Sequence, residues 1–291
     1  MKSFFLYPCF ILLLIFQADI AFTNEITKDN IFSDLKNQLV KDGFNKEKID
    51  ALYSNKSIFF DLKSVSLFFV HSEAKLNYDQ FVSKTSLKRA ATYMNKHGNN
   101  LEEAEKKYGV DKTIITAILL VETRFGKYLG NRLVINTLST MAALSNNSLK
   151  KRLYKSIPDS KKISKAKFEK KSIYKAKWAY LELKALLKYS AREKIDPIEI
   201  NGSYAGALGL SQFLPSNALR LAADGNNDGS IDLFQHPDAI HSIANFLKHH
   251  GWSPAISRQK AYKVLYKYNH SKPYVTTLLK ISHLLKRLDY I

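Results

Sequence analysis

The sequence predicts a mostly α-helical protein, and three features carry that prediction. Apolar residues recur at helical spacing in separate stretches, among them Ile31, Leu35 and Leu39 near one end and Ile240, Ile243, Ala244 and Leu247 near the other. The run from Val110 to Gly126 is apolar almost all round, as in a helix buried in a core. The stretch Asp224–Asp232 has the order of an EF-hand loop, which joins two helices.

A chain of 291 residues can bury a large core, in one elaborated domain or two small ones. Its net charge of +19 points to an anionic partner: nucleic acid, a membrane surface or an acidic polymer. The only cysteine is Cys9, which excludes an internal disulfide or thiolate metal site in the folded part. Lys2 is followed by an apolar run reaching Phe16, with Ala18 and Ala21 beyond, the layout of a signal peptide over residues 1–22. The run is short for a membrane span, and Cys9 precedes most of it, which argues against a lipid anchor there. Export favours an envelope or extracellular polymer over intracellular nucleic acid.

Two short helices with a turn at Asp42-Gly43 are expected from Ile31, Leu35 and Leu39 and from Phe44, Ile49 and Leu52. Residues 53–82 are less regular, and Ser64–Val70 reads as a short strand or an extended arm. The helical pattern returns from Ser86 to Tyr108, broken near His97-Gly98. In the central helix, Asp111 is a candidate N-cap, Val110 and Ile115 a hydrophobic staple, and Gly126 a stop. Glu122 lies four residues after Ile118 and seven after Ile115, so it shares their apolar face. Desolvation there favours the protonated carboxyl, the condition for a general acid. A structural carboxylate paired with Arg124 is the alternative.

A loop and a helix through Leu144 follow. Residues 146–177 crowd lysines and arginines around a break at Pro158-Asp159-Ser160, either an anion-binding patch or a solvated helical hairpin. The next helix starts near Trp178 and ends before Asp196-Pro197. The glycine-rich segment Asn201–Ser216 lets backbones or a ligand approach closely, with Ser203 and Gln212 as its orienting polar groups. In the EF-hand-like loop, Asp224, Asn226 and Asp228 alternate as hard oxygen ligands and Ser230 offers its carbonyl. Gln235 replaces the usual closing Glu, and Asp238 is the substitute carboxylate. Such a loop should hold Ca2+ weakly, in a stabilising role. Pro237-Asp238 opens a helix that Gly251 stops; its His241, with His249 and His250, forms no zinc pattern and reads as surface histidine. Tyr268, Asn269 and Tyr274 precede a final helix and could line a sugar site or serve as core aromatics.

Taken in order, these motifs resemble the lytic murein transglycosylase B family. Val121-Glu122-Thr123-Arg124-Phe125-Gly126, Gly202–Gly209 with Gln212–Ser216, the loop 224–238, and His250-Gly251-Trp252 with Tyr268-Asn269 each match. The family's Asn-Tyr-Pro-Arg-Arg segment is absent, and Ser145-Asn146-Asn147 runs into the lysine-rich stretch instead. Phe246 stands where an aromatic, often Tyr, is expected.

The resemblance implies a lysozyme-like catalytic core, about 86–145 and 178–252, with a flanking helical subdomain, the basic insertion 146–177 and the calcium loop. It implies an exported monomer of the periplasm or envelope that cleaves the MurNAc–GlcNAc β-1,4 bond of peptidoglycan to a 1,6-anhydro-MurNAc end. Glu122 maps onto the single acid/base, with Ser203, Gln212, Phe246, Tyr268 and Asn269 on substrate-binding positions. A hydrolase of the same bond and an inactive wall-binding protein remain the alternatives. No nucleic-acid motif is present.

Overall fold

The computed structural model describes residues 31–70 and 77–288, so the expected signal peptide lies outside the described residues. The chain runs α1 (Ser33–Lys41), α2 (Lys46–Ser54), α3 (Leu62–Val70), a 3-10 turn (Tyr78–Val82), α4 (Lys84–Lys96), α5 (Gly98–Tyr108), α6 (Lys112–Thr123) and β1 (Arg132–Leu133). It continues through α7 (Val134–Ala142), α8 (Asn147–Ser156), α9 (Lys165–Glu193), β2 (Asn201–Gly202), α10 (Pro215–Leu221), α11 (His236–His249), α12 (Arg258–Tyr268) and α13 (Lys272–Leu288).

The central helix is α6. Ile114, Ile115, Ile118, Leu119 and Leu120 are all buried, and each such side chain contributes about 2 kcal/mol on removal from water. α13 lies along α6, with α4, α5 and α11 packed around them. A second layer pairs α9 with α7 and α10, and α3 rests on α7 and α8. The two strands form one short antiparallel ladder, Arg132 opposite Gly202 and Leu133 opposite Asn201.

The structure departs from the sequence expectations at several points. Ser64–Val70 is neither strand nor arm but belongs to α3, which buries Ser64, Val65 and Phe69. Asp111 occupies the N-cap position of α6, yet its carboxylate accepts from Lys286 Nζ at 2.8 Å rather than capping the helix. The helix stops three residues before Gly126, with Arg124 as a left-handed C-cap. α9 passes through the boundary expected at 177/178 without a break. Its inward stripe of Phe168, Ser172, Ala176, Ala179 and Leu183 continues the core-facing side back into the lysine-rich stretch. At 29 residues it is about 43 Å long. His241 is buried edge-on to Tyr108, and desolvation keeps its imidazole below its usual proton affinity.

Candidate active site

Glu122 sits in the last turn of α6, half-buried. Tyr274, near the start of α13, donates its phenol to Glu122 Oε1 at 2.6 Å and is 2 % exposed. Burial first, and then the Glu122 charge, push the Tyr274 hydroxyl well above its ordinary range, so it stays protonated and keeps a proton to donate to Glu122. The same two causes act on Tyr268, whose hydroxyl donates to the Ser211 carbonyl at 2.6 Å. Glu122, Tyr268 and Tyr274 are thus neighbours, drawn from α6 and from the two ends meeting at the α12–α13 junction.

The chain leaves Glu122 through an unusual turn. Arg124 and Phe125 both have positive φ, 48° and 62°, a conformation that costs side-chain-bearing residues about 1–3 kcal/mol each. Each residue of the turn is tied to another element. Thr123 Oγ1 donates to the Leu210 carbonyl at 3.2 Å and accepts from Gly126 N at 3.0 Å. Arg124 donates to the Gln80 side-chain carbonyl, and its guanidinium lies over the Phe81 and Tyr128 rings. Phe125 stacks on Tyr93, centroids 4.3 Å apart.

The glycine-rich segment folds tightly against this turn. A Cβ on Gly130 would lie 2.0 Å from the Gly202 carbonyl oxygen, and one on Gly202 would lie 2.1 Å from the Ala207 carbonyl oxygen. Ser203 Oγ accepts from Ala205 N and Ala207 N, which leaves its hydroxyl proton to donate. Gln212 has φ 49° and spends its side-chain amide on the Leu129 and Gly209 carbonyls. It therefore fastens the segment to the loop after α6.

Phe246 corrects the expectation of a ring open to substrate. It is 3 % exposed and packs on Phe213, Tyr268 and His250, with the Tyr268 centroid at 4.8 Å. It holds Tyr268 in place from behind. Asn269 is half-buried at the C-terminus of α12. Tyr78, whose charge acts on the Tyr274 hydroxyl, and the paired Gln80 and Arg124 border the site, and only Arg124's place beside Glu122 signals this in the sequence. Beyond Phe125, a groove of about 510 Å³ is bordered by Tyr93, His97 and His236, with Lys88, Arg89 and Lys96 at its rim.

In the EF-hand-like loop, Asp224 accepts from Asn227 N and Gly229 N, and Asp228 from Asn226, Ser230 N and Ser230 Oγ. Asp238 is fully buried and accepts from Gly225 N at 2.8 Å and Asp232 N at 2.7 Å. Its carboxyl is pushed up, first by burial and further by the charges of Asp224 and Asp228. Among the described residues no three His, Cys, Asp or Glu side chains are drawn into a metal cage.

Residues 27–257 match the Transglycosylase SLT domain. Over 173 residues the chain is 32% identical to the membrane-bound lytic murein transglycosylase B of Escherichia coli (strain K12), covering 60% of this chain and 40% of that protein. The chain therefore spans well under half the length of that relative. The soluble lytic transglycosylase SltB1 of Pseudomonas aeruginosa has the same fold, with a TM-score of 0.72 at 23% identity over 89% of this chain and 99% of that one. Escherichia coli Slt35, solved in complex with calcium, gives a TM-score of 0.72 at 20% identity, over 92% and 96% of the two chains. The helix that carries Glu122 in its last turn and the glycine-rich segment folded on it both fall within the matched residues, and the chain belongs to the transglycosylase SLT family.

Proposed function

We propose that this chain is a peptidoglycan lytic transglycosylase, cleaving the MurNAc–GlcNAc β-1,4 bond and leaving a 1,6-anhydro-MurNAc end. The observation that carries the reading is Glu122: a half-buried carboxylate at the end of an otherwise apolar helix, held at 2.6 Å by a buried phenol. Glu122 in its acid form gives its proton to the glycosidic oxygen as that bond breaks. The substrate's own N-acetyl group stabilises the anomeric carbon, so one carboxyl suffices where most glycosidases use two. Glu122 then takes the proton of the C6 hydroxyl as that oxygen closes on the anomeric carbon. Its acid form is restored and no water is consumed. Ser203, whose oxygen accepts from two backbone amides and whose hydroxyl carries a proton it can donate, lies in the segment that would meet the N-acetyl group. Tyr268 lies close enough to the carboxyl for the Glu122 charge to act on its hydroxyl.

The Asp224–Asp238 loop fits Ca2+ in its donor chemistry: Asp224, Asn226, Asp228, the Ser230 carbonyl and Asp238 are all hard oxygen ligands. Asp238, buried beside two further carboxylates, is the group whose repulsion a divalent cation would offset. The ion's part is structural and no reaction step passes through it. The chain acts as a monomer, exported to the periplasm or envelope, with its basic stretch turned to an anionic envelope surface. Among the described residues no helix is long and apolar enough to cross a membrane.

The test is digestion of purified peptidoglycan sacculi with mass spectrometry of the released fragments. Anhydro ends are expected, lighter by one water than the reducing ends of a hydrolase. Glu122→Gln should abolish release while sacculus binding persists. Reducing ends, or substantial release by Glu122→Gln, would overturn the assignment.

A further inference from the structure

We propose that the outer face of α9's N-terminal half, together with α3, docks the protein on an anionic lipid bilayer. Tyr174, Trp178 and Leu181 stand at positions i, i+4 and i+7 and form one stripe along α9. Tyr174 is 67% exposed, Leu181 60%, and the adjoining Ile173 50%; Leu67 on α3 adds a further exposed apolar side chain. Phe68 of α3 stacks on Trp178 at 6.2 Å, which joins the two helices into one apolar surface. Exposed apolar side chains scattered singly are ordinary, whereas a contiguous cluster such as this marks an interaction surface.

The charge around this stripe is one-sided. Between Lys150 and Lys177 stand twelve lysines and arginines against two carboxylates, Asp159 and Glu169. Among the described residues none of Lys165, Lys167, Lys170, Lys171, Lys175 or Lys177 forms an ion pair with a carboxylate. Lys175 Nζ lies 4.6 Å from the Phe68 ring and 4.7 Å from the Trp178 ring. Lys171 Nζ is 5.1 Å from the Phe69 ring. Burial, and then the neighbouring lysine, disfavour the charged form of both. Lys171 Nζ also donates to the Phe68 carbonyl at 3.4 Å, and neither lysine has a carboxylate partner among the described residues, so both are available to an anionic surface from outside.

Two partner classes supply negative charge, and the apolar stripe chooses between them. A soluble polyanion meets lysines but gains nothing from Tyr174, Ile173 or Leu181. At a bilayer the lysines meet phosphate headgroups while the aromatic and aliphatic groups enter the headgroup–acyl boundary. The surface shares no residue with the site around Glu122: α9 packs on α7 and α10, whereas α6 packs on α13, α4, α5 and α11. The inference holds whichever reaction that site performs.

The experiment is co-flotation of the full chain with vesicles of phosphatidylcholine alone or mixed with phosphatidylglycerol, with tryptophan emission recorded in parallel. The N-terminal apolar run is common to all variants, so the gain on adding phosphatidylglycerol is the readout. Only Trp178 and the buried Trp252 emit, so a blue shift on binding reports Trp178 leaving water. Each lysine near an anionic bilayer is worth about a five-fold gain in partition, so Lys170→Gln with Lys177→Gln should lower it about 25-fold. Tyr174→Ser with Leu181→Ser, lysines intact, should abolish the blue shift and weaken flotation at least ten-fold. Both pairs lie on exposed positions and should leave the melting temperature and sacculus digestion unchanged. Flotation insensitive to the apolar pair, with equal retention on a soluble polyanion, would overturn the bilayer in favour of a polymer. No gain from phosphatidylglycerol would overturn the surface altogether.

Discussion

Replacing Tyr274 by Phe separates the chemistry of the site from its packing. The ring is 2 % exposed and Phe fills the same volume, so the change removes one hydroxyl and leaves no cavity. What is lost is a 2.6 Å hydrogen bond to a carboxylate, of a kind that contributes about 1.5–3 kcal/mol. The phenol donates, so it favours the ionised Glu122 over the acid form. Its removal must therefore strengthen proton binding at Glu122. With about 1.4 kcal/mol per pH unit, the full bond would move that equilibrium by about one to two units. Glu122 is half-buried and water can replace part of the lost donor, so about one unit is expected. A general acid must be protonated at the start of the cycle, and activity is lost as pH rises through its titration. The basic limb of the pH–rate profile for sacculus digestion should move up by about one unit in Tyr274→Phe. The maximal rate should fall, because the carboxyl is less well oriented. A basic limb that stays in place while the melting temperature drops would make Tyr274 a packing residue. A limb that moves down would reverse the sign and refute the reasoning.

Gly130→Ala should destabilise the fold by about 3 kcal/mol or more, because the new Cβ meets the Gly202 carbonyl at 2.0 Å and φ is +91°; an unchanged denaturation midpoint would contradict that close approach. Calcium at a hundred times its dissociation constant should add about 2.7 kcal/mol of stability, and Asp228→Ala should remove that response; a melting temperature indifferent to calcium in the parent chain would refute the metal. Burial, then His97 and Lys96, hold His236 down at about 4 against an ordinary 6.5. The unfolded chain thus binds the proton more readily, so stability is complete above about pH 6.5 and declines as pH falls toward 4, by about 2–3 kcal/mol once solvent screening of this half-buried ring is allowed for. His236→Gln, which keeps an acceptor for the Tyr93 hydroxyl, should flatten that decline; the same slope in the variant would reject the assignment.

What could be read from the sequence was whatever local pattern determines. The all-round apolar run of α6, the stripe Ile240, Ile243, Ala244 and Leu247, and the paired helices around Asp42-Gly43 each carry their own signature. α3 did not, because Leu62–Val70 is apolar on several faces and shows neither period cleanly. The first half of α9 was hidden by its lysines: the buried stripe of Phe168, Ser172 and Ala176 contains one large apolar residue and two small ones. Partners far apart in sequence were out of reach. Tyr268 and Tyr274 stand out as a tyrosine cluster, but which of them meets Glu122 depends on how α13 lies along α6. Phe246 shows the converse. Residue type marks an aromatic ring and does not say which side of the wall it occupies.

The three residues after Glu122 explain why so short a motif can organise the site. Thr123 is tied to the glycine-rich segment, Arg124 to the 3-10 turn at Gln80, and Phe125 to α4 at Tyr93. Each tie pulls toward a different wall, and together they hold two successive positive-φ residues that no isolated chain would keep. The strain is the consequence of stopping α6 abruptly. A relaxed helix would run on and leave Glu122 on its flank. Here the backbone turns away within one residue, and the carboxyl is left near the end of a rod buried from Thr113 to Leu120. Fixing a single acid/base in this way matters more than in a two-carboxylate enzyme, because one group must serve both proton transfers from one position. The same geometry accounts for the neighbouring glycines. Walls drawn this close to a strained turn leave no room for a Cβ between Gly130 and Gly202, so rigidity at Glu122 and backbone contact behind it are one structural solution.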